Sequence, residues 1–302
     1  MHVLLNGLPL FGNRLAKDLQ HFSPKDKFLF YNTYYNKFDK LKFYLQAPFT
    51  DLFISMNGVS DKSGSLEKAF KTGKPIVMQW MGTDILLAHE RSKKNALFTK
   101  YLDKATHFVD APWMKNELNN LGLNAILVPF KWTEIRKEVL PYGRVQVATY
   151  IPESRSEFYG WKSVLKLATA FPDIPFFVMG ANDLHGIIPE NVRLLGWIDE
   201  KEFKRKLEQS AIFLRLPEHD GYSVSVMEAL ASGCEVLTTM PFEKGFCVKN
   251  DDEIMEAFLA CLDKIYKLEL YPNKEHITFA NENYNREKVM SNYLQQLHGL
   301  LK

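Results

Sequence analysis

Glu218-His-Asp-Gly-Tyr-Ser-Val-Ser-Val-Met-Glu-Ala-Leu-Ala-Ser-Gly233 decides how this chain folds. It follows an apolar run, Ala211 to Leu216, that reads as a buried strand. Pro217 ends that strand, because proline cannot extend a ladder. Asp220-Gly221 is a turn signal. From Ser223 the pattern turns helical, with Val224, Met227 and Ala231 on one side and Gly233 as the C-terminal cap. The unit is strand, glycine turn, helix.

A helix start leaves backbone N–H groups unbonded, here at Tyr222, Ser223 and Val224. Together with the helix dipole they suit a phosphate. Glu228 lies one turn further in, and helical side chains lean toward the N-terminus, so its carboxylate reaches the same place. A carboxylate repels phosphate but accepts hydrogen bonds from a diol, such as ribose hydroxyls. Asp220, at the mouth of the turn, is placed for the hydroxyls of a second sugar. A plainer alternative fits the same spacing. Ser225-x-x-Glu228 is a capping-box pattern, in which Glu228 only satisfies a backbone N–H.

Asp220-Gly221-x6-Glu228-Ala229-Leu230-Ala231-x-Gly233 resembles the Glu-x7-Glu signature of retaining glycosyltransferases of the GT-B fold, glycosyltransferase family 4 in particular. The resemblance implies that Glu228 binds the donor ribose and that Asp220 lies near the donor sugar. It also implies that Gly221 and the amides of Tyr222, Ser223 and Val224 hold the diphosphate. Asp220 is one methylene shorter than the first Glu of the signature, and Glu218 is an acid two residues off register.

Upstream of this unit, Val145 to Tyr150 is a strand, a loop runs to Gly160, and Trp161 to Phe171 is a helix. The resemblance implies that this loop gives an Arg and a Lys to the diphosphate. Arg155 matches the Arg, whose planar fork suits phosphate oxygens; a surface salt bridge is its alternative. Tyr159-Gly160 stands where Lys-Gly is usual, and Lys162 is the substitute cation. Pro175 to Met179 is a buried strand closed by Gly180, where the resemblance leaves room for the nucleotide. Val192 to Ile198 resembles the strand and loop that cradle the base through backbone groups of Trp197 and Ile198; a packing tryptophan is the alternative.

In the first half, Val3-Leu4-Leu5 is a strand, Asn6 to Arg14 a loop with Gly7 and Gly12, and Leu15 to His21 a helix. This resembles the first strand, loop and helix of GT-B enzymes, whose glycines approach the donor; an ordinary turn is the alternative. Pro75 to Gln79 is a strand opening into Gly82-Thr83-Asp84. The resemblance sets Asp84 against sugar hydroxyls, whereas local chemistry allows it to N-cap a helix starting at Ile85. The histidine usual at this strand end is absent, with Gln79 or Met81 nearby instead. Further strands are expected at Phe28 to Tyr31, Leu52 to Ser55, His107 to Asp110 and Ala125 to Val128. Further helices are expected at Ser65 to Thr72, Leu97 to Lys104, Pro112 to Leu121 and from Glu253 after Asp251-Asp252. Asn281 to Lys302 carries the apolar stripe Val289, Tyr293, Leu297, Leu300 of one terminal helix.

At 302 residues, 46% hydrophobic and 25% charged, the chain holds two domains of ordinary globular composition. No apolar run approaches the roughly 18 residues of a membrane span. Met1 to Phe11 lacks a basic leader and a cleavage site, so a first core strand is expected there rather than a signal peptide. Cys234, Cys247 and Cys261 form neither a metal spacing nor a disulfide framework and suit a reducing compartment. Residues 1–143 carry 20 Lys+Arg and 13 Asp+Glu, giving +7, and residues 144–302 carry 18 and 23, giving −5. A basic first half suits an anionic partner such as a membrane surface or a phosphorylated acceptor; solvated lysine faces are the plain alternative. No basic-aromatic stripe suggests nucleic acid.

The expected fold is α/β, GT-B, with two Rossmann-like parallel-sheet domains facing a cleft. Residues 1–135 form the acceptor domain, 136–143 the linker, 144–280 the donor domain, and 281–302 a helix returning to the first. The expected function is retaining transfer of a hexosyl-type sugar from a nucleotide-diphosphate sugar to a glycan, glycolipid or other hydroxyl acceptor. Asp220, Asp84 and Arg155 are the expected catalytic residues, with no metal and no cofactor beyond the nucleotide-sugar substrate. A cytoplasmic location at the inner face of an anionic membrane is expected, without nucleic acid. Two rivals remain: a nucleotide-sugar epimerase on the same fold, and a non-catalytic nucleotide- or glycan-binding partner of a transferase.

Overall fold

The computed structural model describes residues 1–135, 140–250 and 252–301. Residues 136–139 of the expected linker, Asp251 ahead of an expected helix, and Lys302 lie outside the described residues. The chain divides into two compact units, Met1–Lys131 with Arg286–Lys302, and Trp132–Asn285.

The first unit runs β1 (His2–Gly7), α1 (Pro9–Phe22), β2 (Lys27–Tyr31), α2 (Lys37–Gln46), β3 (Leu52–Met56), α3 (Gly64–Phe70), β4 (Ile76–Gln79), α4 (Thr83–Lys93), α5 (Thr99–Leu102), β5 (Thr106–Val109), α6 (Pro112–Asn119) and β6 (Ala125–Leu127). The second runs β7 (Val147–Tyr150), α7 (Trp161–Ala170), β8 (Phe176–Met179), β9 (Val192–Leu194), α8 (Glu200–Gln209), β10 (Ile212–Arg215), α9 (Val224–Ala231), β11 (Glu235–Thr238), β12 (Phe246–Cys247), α10 (Glu253–Lys267) and α11 (Lys274–Asn283). The last helix, α12 (Arg286–Gly299), belongs to the first unit.

Each unit is built on a six-stranded sheet, ordered β2-β1-β3-β4-β5-β6 in the first and β12-β11-β10-β7-β8-β9 in the second. Every strand pair is parallel. Parallel sheets need crossover helices, which cover their faces, so the central strands read as unbroken apolar runs. Val3, Leu4, Leu5, Leu52, Phe53 and Ile54 are buried in one unit, and Val147, Ile212, Phe213 and Leu214 in the other. In each sheet the order reverses beside its first strand, β1 or β7, and such switch points open crevices at the carboxyl ends of strands.

Three elements differ from the sequence expectation. The first helix begins at Pro9, not Leu15, because proline is preorganised for a first turn. Gly12 therefore lies inside α1, not in a loop. The terminal stretch is two helices, broken at Tyr284–Asn285, and α11 starts earlier, under an Asn273 cap that accepts from Glu275 and His276. Only α12 joins the first unit. There Arg286 Nη2 donates to Asp18 at 2.6 Å, Tyr293 donates to Gln79 Oε1 at 3.1 Å, and Val289, Tyr293 and Leu297 are buried, with Leu300 half-buried. Finally, α2 forms where no helix is expected, capped by Asn36, whose side chain accepts from Phe38 and Asp39.

Candidate functional site

The decisive stretch folds as strand, turn and helix. β10 ends at Arg215, and α9 starts at Val224 behind an extended Ser223 at φ −69° and ψ 122°. No side chain caps α9. Among the described residues, the amides of Ser223, Val224, Ser225 and Val226 have no hydrogen-bond partner; Met227 makes the first bond, to the Ser223 carbonyl. The two serine hydroxyls pair with each other at 2.9 Å instead of turning onto the helix. The capping-box alternative is not what forms, since the N-cap is Ser223, three residues ahead of Val226 rather than Glu228, and no side chain caps it. Glu228 is half-buried in the second turn of α9. An uncapped helix start presents several N–H donors and the positive end of a dipole, which together suit an anion.

Neighbouring strand ends build the surroundings. Gly221 is buried at the turn. The Tyr222 hydroxyl meets that of Tyr284 at 2.9 Å and its ring lies 4.6 Å from Phe242, so this side chain anchors the turn. Burial pushes the Tyr284 hydroxyl pKa up, and its neighbour Tyr222 adds to the rise. The loop after β7 is tied to the loop after β10 by the Glu218 amide, which donates to the Phe158 carbonyl at 2.8 Å. Gly180, at φ +97°, closes β8 beneath Tyr150; a Cβ there would meet the Tyr150 ring at 2.8 Å. Trp197 is 79% exposed, so it is no packing tryptophan; it stands 6.4 Å from the Tyr150 ring, with Ile198 half-buried beside it.

The expected cations are both at this edge. Arg155 is exposed, its guanidinium 4.0 Å over the Phe158 ring, and it makes no ion pair among the described residues. The surface-salt-bridge alternative is therefore not realised. Lys162 is exposed in the first turn of α7.

Sequence reasoning missed Arg215. It is only 7% exposed at the end of β10. Its Nε and Nη2 donate to Asp220 Oδ2 at 2.9 and 2.6 Å. Its guanidinium lies 4.6 Å over the ring of Tyr159, the residue standing where a lysine is usual. Its Nη1 is buried without a hydrogen-bond partner among the described residues. A buried charged donor left unpaired is costly, which makes this nitrogen open to an oxygen acceptor. The signal was a lone arginine inside the apolar run from Ala211 to Leu216. Asp220 accordingly sits with one oxygen committed to Arg215 rather than to solvent.

Three expected site residues lie in the first unit, and two of them have structural work of their own. Asp84 is buried inside the first turn of α4, which begins at Thr83 behind Gly82, so it does not N-cap a helix starting at Ile85. Its Oδ1 accepts from Met81, Gly82 and Ile85, and its Oδ2 accepts from Gly58 at 2.6 Å and again from Met81. Both oxygens are committed to backbone amides, which leaves no lone pair for a sugar hydroxyl. Burial raises its pKa against the pull of those amides. Gly12 is buried in α1, where a Cβ would collide with the Phe30 ring; packing, not access to a donor, requires glycine there. Gly7 ends β1 at φ +108°, where a Cβ would lie 2.9 Å from the Met56 backbone.

No family model and no curated protein matches this sequence. Solved structures do resemble it. A sucrose-phosphate synthase from Thermosynechococcus elongatus superposes with a TM-score of 0.74 at 12% identity, over 99% of both chains. The chain has the GT-B fold. A mutant of S. aureus TarM, in complex with fondaparinux, alpha-GlcNAc-glycerol and UDP, matches with a TM-score of 0.58 at 15% identity. That match covers 83% of this chain and 55% of TarM, so the chain spans little over half of TarM's length. A UDP-GlcNAc 2-epimerase from Neisseria meningitidis, bound to UDP-GlcNAc, matches with a TM-score of 0.54 at 14% identity, over 99% of this chain and 100% of its own. At these identities the likeness is one of fold. Among the described residues, no group of three or more His, Cys, Asp or Glu could hold a metal ion.

Proposed function

We propose that this protein is a retaining glycosyltransferase, moving a sugar from a nucleoside-diphosphate sugar to a hydroxyl acceptor. The observation that carries the proposal is the uncapped start of α9, with open amides from Ser223 to Val226, at the same sheet edge as Arg215's unpaired Nη1. The GT-B fold supports it, since TarM shares that fold and was seen with UDP.

In this proposal the α9 amides and Arg155 take the diphosphate, and Glu228 accepts from the ribose hydroxyls. Arg215 Nη1 donates to the leaving phosphate, while Asp220, held by the same guanidinium, receives a hydroxyl of the transferred sugar. The nucleotide passes Gly180, and its base lies by Trp197 and Ile198. Donors fixed around a leaving diphosphate stabilise the charge that develops as the bond to the sugar breaks. The acceptor oxygen bonds to the anomeric carbon on the face the phosphate leaves, and the departing phosphate oxygen takes the acceptor proton. No step is assigned to Asp84. The chemistry calls for no metal, and activity that survives EDTA checks this.

The epimerase is the second reading, favoured only by the lower-scoring likeness to the Neisseria enzyme. A donor assay separates the alternatives. Slow release of nucleoside diphosphate supports a transferase, and donor interconversion supports an epimerase. Donor binding without turnover supports a non-catalytic partner. Thermal shifts against UDP-, GDP-, ADP- and CMP-linked sugars identify the donor, because ligands that bind only the folded state raise its melting point.

A further inference from the structure

The helix that the sequence pattern did not announce exposes its apolar side. Phe38 is 78% exposed and Leu45 62%, with Leu41 exposed between them. At roughly 100° per residue these three side chains fall within roughly 60° of one another around the α2 axis. Phe43, on the opposite side, is buried and is the residue that fastens α2 to its unit. Lys37 and Lys42 are exposed and flank the apolar stripe on its two sides. Tyr34 and Tyr35 before the helix and Phe49 after it are exposed too, extending the surface at both ends.

We propose that this surface docks on an anionic phospholipid bilayer. Charge chooses lipid over protein here. Residues 32–49 hold Lys37, Lys40 and Lys42 against a single acid, Asp39, which is turned back to accept from the Asn32 amide at 3.1 Å. Lysine is depleted from protein–protein interfaces. An apolar stripe with a lysine on each side is instead the arrangement of a helix lying in a membrane interface, with aromatic and leucine side chains at the acyl boundary and ammonium groups among phosphates. Residues 1–143 as a whole carry an excess of seven positive charges, 20 against 13, which draws this half toward an anionic surface. No helix among the described residues is long and apolar enough to cross a membrane, so the contact is with its surface.

This inference does not rest on the transferase reading, because lipid binding is measured without donor or acceptor. The full chain is mixed with vesicles of phosphatidylcholine alone, or with about one-third phosphatidylglycerol, and floated through a density gradient. The protein is expected to float with the anionic vesicles and to be released by raised salt. The triple variant Phe38→Ser, Leu41→Ser, Leu45→Ser is expected to lose about tenfold or more in vesicle affinity. Lys37→Glu with Lys42→Glu on the same helix is expected to lose several-fold, and it tests the surface even if the triple variant does not fold. Leu259→Ser with Tyr266→Ser, exposed positions on α10, is expected to float like the unaltered protein. Failure to float with anionic vesicles, or equal flotation of a folded triple variant and lysine variant, overturns the proposal. A concentration-dependent dimer that the triple variant abolishes, without lipid binding, overturns it in favour of a second copy of the chain.

Discussion

Two helix starts in this molecule look alike in sequence and behave in opposite ways. α4 and α9 both follow a strand and a glycine-containing turn, and both carry an acid expected to meet a sugar, Glu228 from its place on the helix and Asp84 from the family resemblance. At α4 the acid turns inward, and Asp84 takes the amides of Gly58, Met81, Gly82 and Ile85 for itself. At α9 no side chain does so, and the amides from Ser223 to Val226 stay open. One tip is closed by its own chain and the other is open.

The sharpest way to break this contrast is at the closed tip. Asp84→Ala strands buried amides around α4, and is expected to cost about 3–5 kcal/mol of unfolding free energy in urea titrations. Nucleotide affinity of the folded variant is expected to be unchanged. Undiminished stability would mean that Asp84 serves a ligand after all.

At the open tip the order reverses. Glu228→Ala is expected to weaken nucleoside diphosphate binding by about 1.5–3 kcal/mol in calorimetric titrations, with little change in melting temperature. A more selective probe is Val224→Pro. Proline is welcome at the first helical position, and extended Ser223 is compatible with a following proline, so the fold is expected to hold. One amide is removed, and affinity is expected to fall by about 1.5 kcal/mol. Unaltered affinity in a folded Val224→Pro protein would take the phosphate away from α9.

The smallest effect compares the two units through buried imidazoles. Burial holds the pKa of His107 and of His276 below 6.5. In the first unit the Trp80 indole also donates to His107 Nδ1 at 3.0 Å, leaving that nitrogen no room for a proton. Between the depressed folded value and the ordinary one, the unfolded chain binds more protons. Stability is therefore complete above about pH 6.5 and declines as pH falls below it. The urea midpoint is expected to drop between pH 7.5 and 5.5, and to drop less in a folded His107→Gln variant. A midpoint that rises on acidification contradicts this sign.

Unbroken apolar runs alternating with helical segments marked out two parallel sheets, because strands buried on both faces have no polar side to hide. The register of Asp220, Gly221 and Glu228 was equally readable, since turn and helix chemistry is local. α2 escaped notice because its apolar residues lie on opposite sides of the helix, Phe43 against Phe38, Leu41 and Leu45, and so leave no single periodic face. Arg215 escaped because a strand pattern says nothing about where a guanidinium's third nitrogen points. Gly12 was assigned to a loop because proline at a helix start and glycine in its first turn resemble a turn.

The chain by itself determined the alternation of strands and helices, the glycine turn before α9 and the residue types gathered there, for these follow from propensities acting over a few residues. Only the tertiary structure decided which acid is spent on backbone amides, which guanidinium nitrogen stays unpaired and which helix face is left uncovered. Those outcomes depend on what distant segments bring within hydrogen-bond reach, as Gly58 does for Asp84 across 26 positions of sequence.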